Sequence, residues 1–350
     1  MKDYKGKIAF ITGGASGAGL GQAKLFGGLG MKVTIVDIRQ EAIDKAVTEL
    51  KGMGIDALGI QMDLTNREQY IAAADKAEKH WGAPPQVLIN TAGVNSFGPA
   101  EASTFEDYDW ILGVNLFGVI NGFVIFVPRM IKAYNINNGT VNKDGGYIGI
   151  VSSMGAFDGF ATDAPYSVSK AGALNLGLSY YDALKPYGIH VTVQCPANIN
   201  SNIGEAVKTR PAHLQNTGYY VSEGTMNMLK SIHATGMDPV ELAGHMKFAF
   251  ENGLPISLPH DPGANMVRNS YEKQINFATV EGMEKLKKQA EEQAARQAEM
   301  MANFQKQWEK DHPGEPMPSF SFGGPADPNV PMETFGQARP DLEWVANHKQ

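Results

Sequence analysis

The chain has 350 residues, 43% of them apolar and 19% charged, with a formal net charge of −7 at pH 7. That composition describes a globular protein and leaves no basic footprint for nucleic acid. A lone cysteine, Cys195, excludes an intrachain disulfide and fits a reducing compartment. No apolar run is expected to span a membrane, and Met1–Lys7 leads into a strand without the marks of a signal peptide, so a cytoplasmic protein with no membrane partner is expected.

The residues from Lys7 to Thr12 (KIAFIT) form a near-continuous apolar run, the pattern of a parallel strand covered on both faces. Gly13 to Gly19 (GGASGAG) follows at once and leads into a helix running to about Leu29. Glycines at such a turn let backbone amides approach a pyrophosphate, which a helix N-terminus also favours. The next strand, Lys32 to Asp37, ends in a carboxylate twenty residues after Gly17, the spacing of an acid that grips the adenosine ribose hydroxyls. Glycines alone mean little. Strand, glycines, helix, strand and terminal aspartate together make a dinucleotide site.

The alternation continues with a helix over Glu41–Lys51, a strand over Ala57–Asp63 and a capping box at Thr65 and Glu68 that opens a helix to about Trp81. Val87–Asn90 reads as a fourth strand. A second capping box, Ser103 with Glu106, opens a long apolar helix that contains Asn115 and runs towards Ile131. A polar connection over 137–146 precedes a fifth strand, Tyr147–Val151. The sixth is His190–Cys195, with Cys195 as a buried structural thiol, and Ile256–Leu258 is the seventh. Repeated β and α elements predict an α/β fold built on one doubly wound parallel sheet. Ligands of such sheets gather beyond the carboxyl ends of the strands, where the glycine turn, Asp37, Asp63, Asn90, Ser153 and Pro196 all fall.

Tyr166 and Lys170 are four apart in a helical run, so their side chains share a face. A phenol titrates near ~10, and bringing it to ~7 takes roughly 4 kcal/mol of differential stabilisation, which a nearby ammonium favours. Tyr166 would then exchange a proton with an alcohol or alkoxide, and Ser153, thirteen residues upstream, would hold the same oxygen. Tyr-x-x-x-Lys alone is weak, and its weight comes from the rest of the chain.

With these motifs the chain resembles the short-chain dehydrogenase/reductase family over about residues 5 to 260. Thr12–Gly19 is similar to the family's nucleotide loop, Asn90–Gly93 to its fourth-strand motif, and Asn115, Ser153, Tyr166 and Lys170 to its catalytic tetrad. The resemblance implies a Rossmann-type sheet of about seven strands, with Tyr166 as acid/base. Lys170 would lower the tyrosine's pKa and contact the nicotinamide ribose, Ser153 would orient the substrate oxygen, and Asn115 would support a water linked to Lys170. Implied cofactor contacts are Gly13, Ser16, Gly17, Ala18 and Gly19 in the first turn, then Asp37, Ile38, Asp63 and Leu64. Asn90, Ala92, Gly93, Tyr166, Lys170, Pro196, Ile199 and Ser201 complete them, the last three in a segment that clamps the carboxamide. Ala197 departs from the usual glycine, Thr91 from asparagine and Ser201 from threonine, which puts only the clamp geometry in question. No metal site is expected.

Asp37 would repel a 2′-phosphate, and Ser16 and Ile38 stand where NADP-using relatives often carry a base, so NAD is the expected cofactor; Arg39 is the discordant group. The stretches Asn90–Pro99, Gly118–Gly122, Val127–Ile131 and Pro196–Ile203 are similar to the bacterial Cα-dehydrogenases of lignin β-aryl ether breakdown. That implies a bulky, aromatic or benzylic secondary alcohol and its ketone as the small-molecule partners. A hydroxysteroid or other ring-alcohol dehydrogenase, an NAD-containing epimerase or dehydratase, and a non-catalytic NAD(H) sensor are the alternatives. A homodimer or homotetramer is implied, with the helices around Asn115 and Tyr166 in one interface.

Residues 1–280 are expected to form the dehydrogenase domain, with a substrate lid over about 204–251. Residues 281–350 would add a helix over Val280–Lys310 and an arm from Pro313 to Pro340 with 7 prolines and 4 glycines, lying along the oligomer surface.

Overall fold

The computed structural model describes residues 3–134, 145–215 and 217–313. Its strands are β1 (Ile8–Thr12), β2 (Lys32–Asp37), β3 (Ala57–Gln61), β4 (Val87–Asn90), β5 (Gly146–Val151), β6 (Ile189–Gln194) and β7 (Ile256–Ser257). They pair in parallel in the order β3-β2-β1-β4-β5-β6-β7. The expected seven-stranded, doubly wound sheet is therefore present. Every position of β1, β4 and β5 is buried, as strands covered on both faces require.

The helices divide between the two faces. Ala9 and Ile11 of β1 join a core with Phe26 of α1 (Gly17–Gly28), Ile43 and Leu50 of α2 (Gln40–Gly52), and Met246 and Phe250 of α8 (Pro239–Asn252). Phe10, between them in sequence, faces the other way and packs on Tyr70 of α3 (Arg67–Trp81) and Phe126 of α5 (Gly118–Tyr134). The two-residue period of the strand thus sorts the two helical layers. In the 204–251 stretch, the helix expected from Val240 to Phe250 is α8, which covers the sheet beside α1. The preceding residues form short helical turns and α7 (Glu223–Ala234).

Several local expectations shift. The α3 cap is Asn66, whose side chain accepts from the Gln69 N–H, and not Thr65, whose hydroxyl donates to Asp63. The second capping box is Thr104 with Asp107, one residue later than Ser103 with Glu106. Strand β3 stops at Gln61, so Asp63 lies in the following turn, where its carboxylate accepts from the Thr65 N–H. Strand β6 begins and ends one residue early, leaving Cys195 just beyond it, fully buried, with burial pushing its thiol up to about 12. The long apolar helix is α4 (Phe105–Leu112) and α5, joined by one wide turn over Gly113–Phe117 that contains Asn115.

Against the expectation, this run from Phe105 to Tyr134 is long and apolar enough to cross a membrane, with a window of mean hydropathy 2.1. Part of its apolar content serves the core: Trp110, Ile111, Val119, Phe123, Phe126 and Met130 are all buried. The described residues form two units, one through Gly263 and one from Ala264 onward. The second holds α9 (Gly263–Phe277) after its first residue and α10 (Val280–Asp311), in which Trp308 stacks on His312. Most of the polar connection over 137–146, and the arm beyond Pro313, lie outside the described residues.

The segment after β6 is tied to α4 by a buried ion pair. Arg210 and Asp107 are 6% and 0% exposed, and Nη1 donates to Oδ1 at 2.9 Å. The same carboxylate accepts the N–H groups of Tyr219 and Thr104, while Arg210 also donates to the Leu214 carbonyl and lies 5.1 Å from the Trp110 ring. Removing one charge leaves the other buried and unpaired. Asp107→Asn should therefore lower the urea unfolding free energy by about 3 kcal/mol and speed proteolysis within residues 203–222. A loss below about 0.5 kcal/mol, the ordinary surface range, would contradict this reading of the pair.

Candidate active site

Beyond the carboxyl ends of the strands lies a cavity of about 870 Å³. Every residue expected to touch cofactor or substrate lines it except Asn90 and Asn115. Thr12, at the end of β1, pairs with Val36 on one side and Asn90 on the other, and its hydroxyl accepts the N–H groups of Thr91 and Ala92. This bond seats the loop after β4 against the glycine turn. Gly13 has φ +64°, and a Cβ there would stand 2.7 Å from the Ala92 Cα. At Gly19 a Cβ would strike the Gly13 carbonyl, so both positions need glycine for close backbone approach.

Ser16, at the N-cap of α1, makes no side-chain capping bond, and the first turn holds no acid. The first-turn amides of α1 thus have neither side-chain cap nor competing carboxylate, and a helix N-terminus in this state suits a phosphate. A dinucleotide fits the cradle. Asp37, 8% exposed, ends β2 at the cavity wall, where Arg39 takes both its oxygens, Nε to Oδ1 at 2.9 Å and Nη2 to Oδ2 at 3.1 Å. Nη2 also donates to the Ser16 hydroxyl at 2.9 Å. The discordant arginine therefore pairs with the Asp37 carboxylate.

Tyr166 and Lys170 share a face of α6 (Ala164–Leu184), with the Lys170 Nζ 5.4 Å from the tyrosine ring centroid. Nζ donates to the Val151 carbonyl at 2.9 Å, and Lys170 is 3% exposed. Burial pushes this ammonium down to about 8. It also pushes the Tyr166 phenol above its ordinary range; a hydrogen bond with Ser153 opposes that, and the nearby Asp163 adds to it. Desolvation is the largest influence on the phenol, and the Lys170 Nζ is turned to a strand-end carbonyl. Ser153 itself lies two residues beyond β5, where its hydroxyl also accepts the Gly155 N–H at 3.1 Å.

Asn115 and Asn90 stand behind the wall. Asn115 Oδ1 accepts the Val94 N–H at 2.8 Å, and its Nδ2 donates to the Val94 carbonyl and the Ser169 hydroxyl. The wide helical turn brings this amide to the loop after β4, a use such turns often serve near functional sites. The buried Asn90 amide has no hydrogen-bond partner among the described residues at either Oδ1 or Nδ2.

Sequence reasoning missed His260. Its Nδ1 accepts the Ala197 N–H at 3.1 Å, which makes Nε2 the donor to the Asn198 carbonyl at 2.9 Å. One ring therefore braces the Pro196–Ser201 segment where Ala197 departs from the family's glycine. Arg210 and Asp163 also line the cavity without having been singled out. No local pattern marks any of the three, since each acts through residues distant in sequence.

The short chain dehydrogenase family model matches residues 7–212. The C alpha-dehydrogenase of Sphingobium sp. strain SYK-6 is 50% identical over 260 residues, 74% of this chain and 82% of that protein. Among solved structures, the apo form of LigD from the same strain matches with a TM-score of 0.63 at 42% identity, covering 78% of this chain and 98% of that one. A short-chain dehydrogenase/reductase from Burkholderia phymatum in complex with NAD matches with a TM-score of 0.69 at 27% identity, over 77% of this chain and 94% of that one. The chain belongs to the short-chain dehydrogenase family, as an oxidoreductase acting on CH–OH groups.

Proposed function

We propose that this enzyme interconverts a bulky secondary alcohol, aromatic or benzylic, and its ketone with NAD as cofactor. The observation that carries the reading is the meeting of Ser153, Tyr166 and buried Lys170 on one cavity wall with the open N-terminus of α1. Bound NAD would supply the acceptor for the hydride leaving the carbinol carbon. The chain does the rest. The glycine turn and the first amides of α1 hold the pyrophosphate, and Asp37 holds the adenosine ribose. The Ser153 hydroxyl and the Tyr166 phenol grip the substrate oxygen. Tyr166 takes the carbinol proton in oxidation and returns it to the developing alkoxide in reduction. Lys170, cationic below about 8, favours the phenolate against the burial that opposes it. Asn115 acts indirectly, by fixing the loop at Val94 beside the ammonium.

Phe97, Trp110 and Val114 give the substrate end an apolar wall, which supports a bulky aromatic substrate. So does the similarity to a C alpha-dehydrogenase. Screening aryl carbinols, hydroxysteroids and short alcohols by NADH absorbance should rank an aryl carbinol first, and a clear preference for a short aliphatic alcohol contradicts the substrate class. Tyr166→Phe should lower kcat by about a hundred- to ten-thousandfold and leave NADH affinity within a few-fold. Ordinary turnover in that variant would remove Tyr166 from the chemistry.

The choice of NAD rests on Asp37, which repels a 2′-phosphate and accepts from a free ribose diol. Arg39 works against it, because a guanidinium released from Asp37 can meet a phosphate. Initial rates should favour NAD over NADP, and Arg39→Ala should widen that gap. Preference for NADP in the parent enzyme would refute the assignment.

We further propose a homodimer or homotetramer in a reducing, cytoplasmic compartment. The support is exposed apolar side chains on the turn before α5, on α5 and on α6: Phe117 49%, Val124 62% and Val168 52% exposed. Sedimentation should give two or four times the chain mass of 37.8 kDa, and a chain ending at Val280 should melt earlier or dissociate more readily. A monomer mass would sink this proposal.

A further inference from the structure

The chemistry above leaves one polar cluster of the cavity wall unused. Asp163 stands at the N-cap of α6, where an aspartate ordinarily accepts the N–H groups of the first turn. Its side chain makes no capping bond. It lines the cavity instead, and its Oδ2 accepts from the Asn95 Nδ2 at a long 3.3 Å. Its Oδ1 is buried without a partner among the described residues.

Asn95 repeats the pattern. It lines the same cavity, is 3% exposed, and its own Oδ1 is buried with no donor among the described residues. Two adjacent side chains thus present acceptor oxygens that the protein does not satisfy. Leaving a buried acceptor unpaired is costly, and folded proteins rarely do so away from a ligand or water site. Burial pushes the Asp163 carboxyl up to about 7 against the pull of the Asn95 bond, another mark of a carboxylate short of donors. Phe97, Trp110 and Val114 add apolar surface to the lining of the same cavity, so a donor carried on a largely apolar molecule would satisfy these oxygens there.

We propose that Asp163 and Asn95 are specificity-determining residues that accept a hydrogen bond from a second hydroxyl on the substrate, apart from the carbinol that reacts. The inference rests on the dehydrogenase reading and adds to it the side chains that would read such a hydroxyl, on a diol or a hydroxyaryl carbinol. A pocket with a committed acceptor discriminates strongly against the analogue that lacks the donor, because the acceptor is then stranded. Asp163 also raises the Tyr166 phenol, so a simple loss of rate in an Asp163 variant carries no information about substrate recognition. The ratio between two substrates cancels that effect.

The test uses the full chain with NAD and three alcohols: 1-phenylethanol, 1-phenylethane-1,2-diol and 1-(4-hydroxyphenyl)ethanol. The parent enzyme should favour at least one hydroxylated alcohol over 1-phenylethanol by about tenfold or more in kcat/KM. Asp163→Ala should bring that ratio close to one, with the change mainly in KM, and Asp163→Asn should keep part of it. Asn95→Ala removes the other acceptor and should reduce the same ratio, which keeps the test informative if Asp163→Ala folds poorly. Equal kcat/KM on all three alcohols in the parent enzyme overturns the inference, and so does a preference that survives both alanine variants. Turnover of none of them, while other carbinols are oxidised, also counts against it. Failure on every carbinol instead removes the dehydrogenase reading on which it rests.

Discussion

Parallel pairing sends the carboxyl ends of all seven strands to one side of the sheet, and the cavity depends on that single constraint. At its centre Thr12 lies between Val36 and Asn90 in register. The chain leaving β1 enters α1 on one face of the sheet, and the chain leaving β4 goes on to α4 and α5 on the other. Two connections that part in this way open a crevice between them. The Thr12 hydroxyl then limits how far they part, by holding the Thr91 and Ala92 amides. The glycines follow from the same closeness: side chains at Gly13 or Gly19 would force the turn away from its neighbours.

Burial sets the electrostatics of what gathers there. Lys170 is taken out of water with the Val151 carbonyl for company, and its ammonium becomes easier to lose. Tyr166, desolvated beside it, holds its proton more tightly. Each group is displaced against its charged form, as the low local dielectric dictates. The pair thus sets a cation close to a phenol that resists ionisation. At the other end, Arg39 covers Asp37 from within the chain, so any group that binds this carboxylate must compete with the guanidinium.

Much of this was legible in the sequence, for physical reasons that can be named. Lys32–Asp37 and Val87–Asn90 are bounded correctly because a short β-branched and apolar run, VTIV in one and VLI in the other, set between polar residues leaves little choice of frame. Both helix caps are read one residue early, since Thr65 and Ser103 each precede a second residue able to cap, Asn66 and Thr104. The wide turn at Asn115 was hidden, because the apolar periodicity of a helix hardly changes when one hydrogen bond is respaced. The apolar length of 105–134 was underrated because it falls on α4 and α5 together. Asp163, His260 and Arg210 had no local signal at all. Their partners Asn95, Ala197 and Asp107 lie 68, 63 and 103 residues away, and only the folded chain brings them together.

The central claim is that this cavity moves a hydride from a carbinol carbon to a dinucleotide while Tyr166 handles the proton. Placing deuterium on the carbinol carbon of an oxidised aryl alcohol tests it most directly. The account predicts that the label is recovered in the NADH formed, that none is found in water, and that turnover slows if this transfer limits the rate. Label washed into solvent, or ketone formed without deuterated NADH, would contradict it.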